Sequence, residues 1–206
     1  QAATKAVIGP GTGMGVGFLA FDGQKYIPAC SEGGHSTFAP FDKETQDFRD
    51  YMEKRIGTVP GVEPLVSGMG LAHLYEWWRD TKGVPQNDAF KKIEETDWHD
   101  RPKYISRASD TDPVAAEMMC MFVKMLDRFA SDACTLFLPL GGFYLAGGTV
   151  QKDLRWLERD NLFMTWFEKN YNPNIRPLLN KIPVYLIKDY SISLYGAANA
   201  SLNLQK

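Results

Sequence analysis

Apolar positions recur along the chain with two periods. Between residues 16 and 30, "VGFLAFDGQKYIPAC", two apolar runs flank Asp22-Gly23, a dipeptide that suits the positive backbone angles of a tight type I′ turn. The segment predicts a β-hairpin. A short buried-strand pattern, Ala6-Val7-Ile8, precedes it. "FYLAGG" (143–148) and "IPVYLI" (182–187) are further apolar runs bounded by glycine, proline or charge, as inner strands of a mixed sheet are. Helical spacing appears at Phe48, Tyr51, Met52 and Ile56, closed by Gly57 as a left-handed cap. It returns at Leu71, Leu74, Tyr75 and Trp78, behind the capping candidate Ser67. Val114, Met118, Met121, Phe122, Met125, Leu126 and Phe129 make a broad apolar stripe, which predicts a long helix from Pro113 to Cys134 through the centre of the domain. The closing "SISLYGAANASLNLQ" also reads as a helix. Residues 79–112 are polar and weakly periodic, carry Trp98 and His99, and predict an exposed helical excursion.

The chain has 206 residues, 44% of them hydrophobic, enough for a substantial core. With 23 basic against 25 acidic residues there is no basic field for nucleic acid or anionic lipid, so neither is expected as a partner. A small neutral or anionic ligand fits better. Cys30, Cys120 and Cys134 are too scattered for a disulfide framework or a zinc cluster, which points to a reducing, cytoplasmic setting. The longest uncharged run, 133–151, is interrupted by Pro139 and two glycine pairs and does not read as a membrane helix. The chain opens at Gln1 and enters a strand pattern within a few residues, with no cleavable signal sequence, as a piece of a longer protein would.

Residues 9–18, "GPGTGMGVGF", set glycine at 9, 11, 13, 15 and 17. No three of these stand at i, i+2 and i+5, and a strand is expected to follow, so the dinucleotide fingerprint is absent. No Gly-Lys-Ser/Thr ending places a lysine on terminal phosphates, so a P-loop is absent as well. Two readings remain. One is a glycine-rich turn with small side chains for sheet packing. The other is a nest of successive N–H groups, with the Thr12 hydroxyl as a further donor, that holds an anion; glycine at 11 and 13 lets backbone approach without a Cβ clash.

In "SEGGHSTFAP" (31–40), Glu32 and His35 lie three apart across two glycines, which allows both side chains to turn toward one pocket. A carboxylate and a neutral imidazole suit the vicinal hydroxyls of a sugar. A solvated acid and an imidazole satisfied by backbone are the alternatives. Glu63 stands between Pro60 and Pro64 ahead of a helix, either held for a ligand or placed there to favour the helix dipole. "LAGG" (145–148) ends a strand with a glycine pair, either as a strand-to-helix turn or as a flat surface for an aromatic base. His73, His99 and the cysteines read as structural or surface residues, and Trp77-Trp78 as core packing.

Taken together, "VIGPGTGMGVGF", "SEGGHSTFAP", "EPLVSGMGLAHLYEWW", "GGFYLAGGTV", "IPVYLIKDYS" and the closing "GAA" resemble the bacterial-type glucokinase family of the actin/hexokinase/Hsp70 superfamily. The resemblance runs from Ala6 to about Ala200. It implies an α/β, ribonuclease H-like (actin-like ATPase) large lobe, a mixed sheet with an N-terminal β-hairpin flanked by helices. Residues 1–189 would form the lobe, and 190–206 a helix packing toward an absent small lobe. It implies ATP and Mg²⁺, with Gly11, Thr12 and Gly13 as a phosphate loop and Gly147 and Gly148 as the adenosine motif. It implies glucose, with Glu32, His35 and Glu63 at its hydroxyls, and a homodimer. The sugar trio and the Thr12 loop would line opposite walls of one cavity. The first phosphate loop and the Asn-Asp pair that supplies the family's base are missing, so the base is expected upstream of Gln1 and the chain alone is expected to be inactive. Asp110 and Asp112 have no counterpart as that base. The zinc cysteine motif of the related ROK kinases is also missing, which favours the glucokinase branch. A non-catalytic sugar-binding or regulatory relative, or a kinase for another hexose, is the alternative.

Overall fold

A computed structural model describes residues 2–189 and 191–204, with the backbone only at 203 and 204. The expected opening at Gln1, and positions 190, 205 and 206 of the expected closing segment, lie outside the described residues. Five strands form one sheet in the order β3-β2-β1-β4-β5 among those residues. They are β1 (Lys5–Pro10), β2 (Met14–Phe21), β3 (Tyr26–Ser31), β4 (Phe143–Leu145) and β5 (Val184–Leu186). The first three run antiparallel and the last two run parallel to β1, which is the ribonuclease H-like arrangement expected. Inward and outward positions alternate along β1, so that Ala6 and Ile8 are buried and pair with Phe143 and Leu145.

The hairpin forms where expected, but its turn differs. Gly23 takes the positive φ, 101°, and Asp22 does not, so the I′ form is excluded. Asp22 instead accepts the Gln24 and Lys25 N–H groups on Oδ1, each at 2.8 Å, and this side-chain closure replaces the second positive φ.

The helices are α1 (Lys43–Ile56), α2 (Gly68–Thr81), α3 (Asp88–Glu95), α4 (Arg101–Ala108), α5 (Pro113–Phe137), α6 (Gly148–Lys152), α7 (Leu154–Glu158), α8 (Leu162–Phe167), α9 (Arg176–Leu179) and α10 (Ile192–Leu204). A reciprocal Asp42–Thr45 cap starts α1 and left-handed Gly57 ends it, while Ser67 caps α2 through the Gly70 N–H. Asp112 starts α5 by accepting from Val114 and Ala115, ahead of Pro113 at the first turn. The helix runs past the expected Cys134 to Phe137, because Leu138 is the residue that takes the left-handed conformation. Met118, Met121, Phe122, Met125 and Leu126 of its stripe are buried and Val114 and Phe129 half-buried against them, and Trp77 and Trp78 are core residues.

Residues 79–112 depart from expectation. Phe90 and Ile93 of α3 and Ile105 of α4 are fully buried against the core, and α4 packs on α2 and α5. The apolar positions are few and divided between two eight-residue helices, so a single periodic window dilutes them. The segment is a packed wall, and its other face borders a cleft.

Candidate functional site

The β1–β2 turn, the Gly33–His35 3-10 turn, the loop bearing Glu63 and the end of β4 meet at one end of the sheet. In the β1–β2 turn the Gly11 N–H donates to Gly13 O at 2.9 Å, which commits one amide of the expected nest to the turn itself. The Gly11 carbonyl accepts from Gly68 N–H at 2.8 Å and the Thr12 carbonyl from Met69 N–H at 3.4 Å, so the first turn of α2 anchors the loop. The N–H groups of Thr12 and Gly13 have no protein partner among the described residues. A Cβ at Gly11 would meet nothing within 4 Å, so that face of the loop is open.

The opening is a cleft of about 1210 Å³. Gly11 and Thr12 form one side and Gly148 and Thr149 the floor, with the turn Trp98–Asp100 and α4 opposite. Gly147 precedes the floor with φ 107°, and a Cβ there would lie 2.5 Å from Pro10 O. This glycine is required by close packing of the two strand ends. The strand-to-helix reading of "LAGG" therefore holds locally, with Gly148 facing the cleft. Lys103, Arg107 and Lys152 line it and form no ion pair among the described residues. Arg155 is engaged: its Nε donates to Asp110 Oδ1 at 2.9 Å and its Nη2 to Ser106 O at 2.7 Å. The Ser106 hydroxyl donates to Asp153, whose carboxyl is pushed up by burial against the opposing pull of that bond and of Arg155. Lys103, Arg107, Trp98 and His99 were outside the sequence-derived site. Lys103 and Arg107, at i and i+4, were the available signal that one face of α4 is cationic.

The sugar candidates sit on the other flank of the Thr12 loop. Glu63 crosses Gly13: its Oε2 accepts the Met14 N–H at 2.8 Å, and a Cβ on Gly13 would lie 2.3 Å from the same oxygen. Oε1 has no protein partner among the described residues. Glu63 N–H donates to Gly34 O at 2.9 Å, which ties its loop to the 3-10 turn. Gly34 is pressed against the strand, since a Cβ there would lie 2.0 Å from Met14 O. His35 Nε2 and Glu32 Oε2 are 3.7 Å apart, so both side chains do turn together, with side-chain exposures of 63% and 90%. Glu32, His35 and Glu63 do not line the cleft, which corrects the single shared cavity expected for them. Gly11 and Thr12 line the cleft while the Glu63 carboxylate lies across Gly13, which makes the Thr12 loop a partition between the two.

Among the described residues no group of three His, Cys, Asp or Glu side chains is arranged to hold a metal ion.

The family model for Glucokinase matches residues 1–204. A glucokinase of Nostoc sp. is 31% identical over 212 residues, 97% of this chain and 61% of that protein. A glucokinase of Marinobacter nauticus is 32% identical over 198 residues, 95% of this chain and 57% of that protein. Among solved structures, a glucokinase from an Antarctic psychrotroph is 26% identical with a TM-score of 0.79, over 98% of this chain and 59% of that one. A glucokinase from Balamuthia mandrillaris in complex with glucose shares the fold at 22% identity and a TM-score of 0.80, over 96% of this chain and 53% of that one. The chain spans less than two thirds of the length of the curated relatives it matches.

Proposed function

The chain belongs to the glucokinase family, and we propose that it forms the large lobe of an enzyme transferring the γ-phosphoryl group of ATP to O6 of glucose. The observation that supports this reading is the partition at the Thr12 loop. Phosphoryl transfer depends on holding donor and acceptor in line across a short gap, with developing charge met by fixed donors. A loop with unpartnered Thr12 and Gly13 N–H groups, faced by a cleft and crossed from behind by Glu63, offers donors and an acceptor within one turn of chain.

In this reading the nucleotide enters the cleft. Its phosphates meet the Thr12 loop and the unpaired Lys103, Arg107 and Lys152, and its base lies over Gly147-Gly148. Glucose hydroxyls meet Glu63 Oε1, Glu32 and His35. The exposure of Glu32 and His35 fits a half-site that a second lobe completes, excluding water as the lobes close. In this reading the base that takes the O6 proton comes from outside this chain: the cleft carboxylates Asp100, Asp110 and Asp153 stand on the nucleotide side, and Asp110 and Asp153 are further committed to Arg155 and Ser106. Mg²⁺ would arrive with the nucleotide phosphates and supply charge neutralisation there. Unpaired Cys30, Cys120 and Cys134 support the cytoplasmic setting.

Residues 1–189 are the lobe proper, and α10 is its docking element for the missing part. Its Ile192, Leu194, Tyr195 and Leu202 are exposed and "ISLYGAANASLNL" carries no charge, a surface that a covering domain would bury.

An ADP-release assay with glucose, mannose and fructose tests the reading in two forms, the chain of 206 residues and the complete protein. The expected result is glucose turnover by the complete protein and none by the chain alone. Turnover by the chain alone overturns the two-lobe account. Glucose binding without turnover in the complete protein favours the non-catalytic relative, and faster turnover of another hexose reassigns the substrate.

A further inference from the structure

His73 stands on α2 between the Glu63 loop and the cleft. Its Nδ1 lies 2.9 Å from Pro64 O, the carbonyl directly after Glu63. Its ring packs on that of Trp98 at 5.0 Å between centroids, and Trp98 in turn lines the cleft. The Trp98 indole N–H is buried with no partner among the described residues. Burial holds the imidazole below its ordinary pKa. The Pro64 bond and Glu76 oppose that shift, and Arg55 reinforces it. Since a carbonyl only accepts, Nδ1 carries the proton shared with Pro64 O.

The peptide after Glu63 is held on consecutive carbonyls. The Ser67 hydroxyl donates to Glu63 O at 2.7 Å and His73 donates to Pro64 O. Pro64 has no N–H of its own to add a second anchor. Ser67 also caps α2, so its place is set by the helix start; His73 reaches back nine residues for no helical purpose. Without that bond, the Pro64–Leu65 peptide keeps only the Leu65 N–H bond to Val62 O at 3.0 Å, and the turn that carries the Glu63 carboxylate is held less tightly on its C-terminal side.

We propose that His73 is a positioning residue for Glu63. The imidazole, bonded to Pro64 O and wedged against Trp98, sets where the Glu63 carboxylate lies across the Thr12 loop and so how tightly sugar binds. The second half of this statement rests on the sugar reading of Glu63. The first half is testable without it, because the Met14 N–H reports the carboxylate's place directly.

Asparagine puts its amide nitrogen near the place of Nδ1, whereas glutamine puts it nearer that of Nε2. Hydrogen exchange at the Met14 amide is measured in this chain and in its H73A, H73N and H73Q variants, with melting curves alongside. The expected result is exchange faster by about fivefold in H73A and H73Q and within about twofold of the parent in H73N. Unchanged exchange in H73A, or H73N as fast as H73Q, overturns the proposal; if H73A fails to fold, the comparison of H73N with H73Q decides. In the complete enzyme, H73A is expected to raise KM for glucose about fivefold with a smaller change in kcat, and H73N to restore it. If E63Q raises that KM and H73A does not, the link from His73 to sugar binding falls and the sugar reading stands; if E63Q leaves it unchanged, the sugar reading falls and Met14 exchange alone decides whether His73 places the carboxylate.

Discussion

Asp127 is fully buried on α5, and neither of its carboxyl oxygens has a partner among the described residues. One turn later the Ser131 hydroxyl is equally buried and equally unpartnered. Burial pushes the Asp127 carboxyl well above the usual carboxylate range. The folded protein therefore keeps this proton to higher pH than the unfolded chain does. That sign means the group costs stability increasingly as pH rises from the ordinary value of 3.8 through the raised folded value. Asp127→Asn should accordingly raise stability at pH 7 by about 1 to 3 kcal/mol, with the gain shrinking toward pH 4. Melting curves at the two pH values check it, and an equal gain at both contradicts it. Nothing in the sequence marks Asp127 as buried, because it follows Leu126 and precedes Arg128 on a stripe whose edges are ordinarily polar. The placement of Glu32, His35 and Glu63 in turns was legible because each stands beside glycine or proline, which fix a loop and free it from packing duties.

At the scale of elements, two glycines in neighbouring loops separate fold from site. A Cβ at Gly34 would strike the Met14 carbonyl, which belongs to a strand and cannot move aside. A Cβ at Gly13 would strike the end of the Glu63 side chain, which can. Gly34→Ala should lower stability by about 1 to 3 kcal/mol. Gly13→Ala should melt near the parent temperature and weaken glucose binding in the complete enzyme. Differential scanning calorimetry with glucose titrations checks both; a Gly13→Ala protein with full glucose affinity contradicts the role given to the Glu63–Gly13 contact. Elements with a strong single period were legible from sequence: the hairpin, α1, α2, α5 and the two parallel strands. Their caps at Gly57 and Ser67 were legible too. The turn type was not, because an Asp side-chain bond substituted for a backbone angle. Nor was the wall made by α3 and α4, where short helices each bury two apolar side chains and a cleft takes the place of solvent. The partition itself was out of reach of sequence, since it arises from a contact between residues 14 and 63.

At the scale of the molecule, α10 exposes apolar side chains that nothing among the described residues covers, with Leu194 73% exposed. Leu194→Lys should leave the melting temperature of the isolated chain unchanged, since the side chain loses no packing there, and lower that of the complete protein. Equal melting temperatures for parent and variant in the complete protein would remove α10 from the interface between lobes. The division of labour at the Thr12 loop is tested most directly by steady-state kinetics of the complete enzyme with Thr12→Val and Glu63→Gln measured side by side. The expected result is a crossed pattern. Thr12→Val raises KM for ATP with little effect on glucose, and Glu63→Gln raises KM for glucose by the equivalent of about 1 to 3 kcal/mol with little effect on ATP. Both variants acting on the same substrate, or neither acting on either, would contradict a loop that parts nucleotide from sugar.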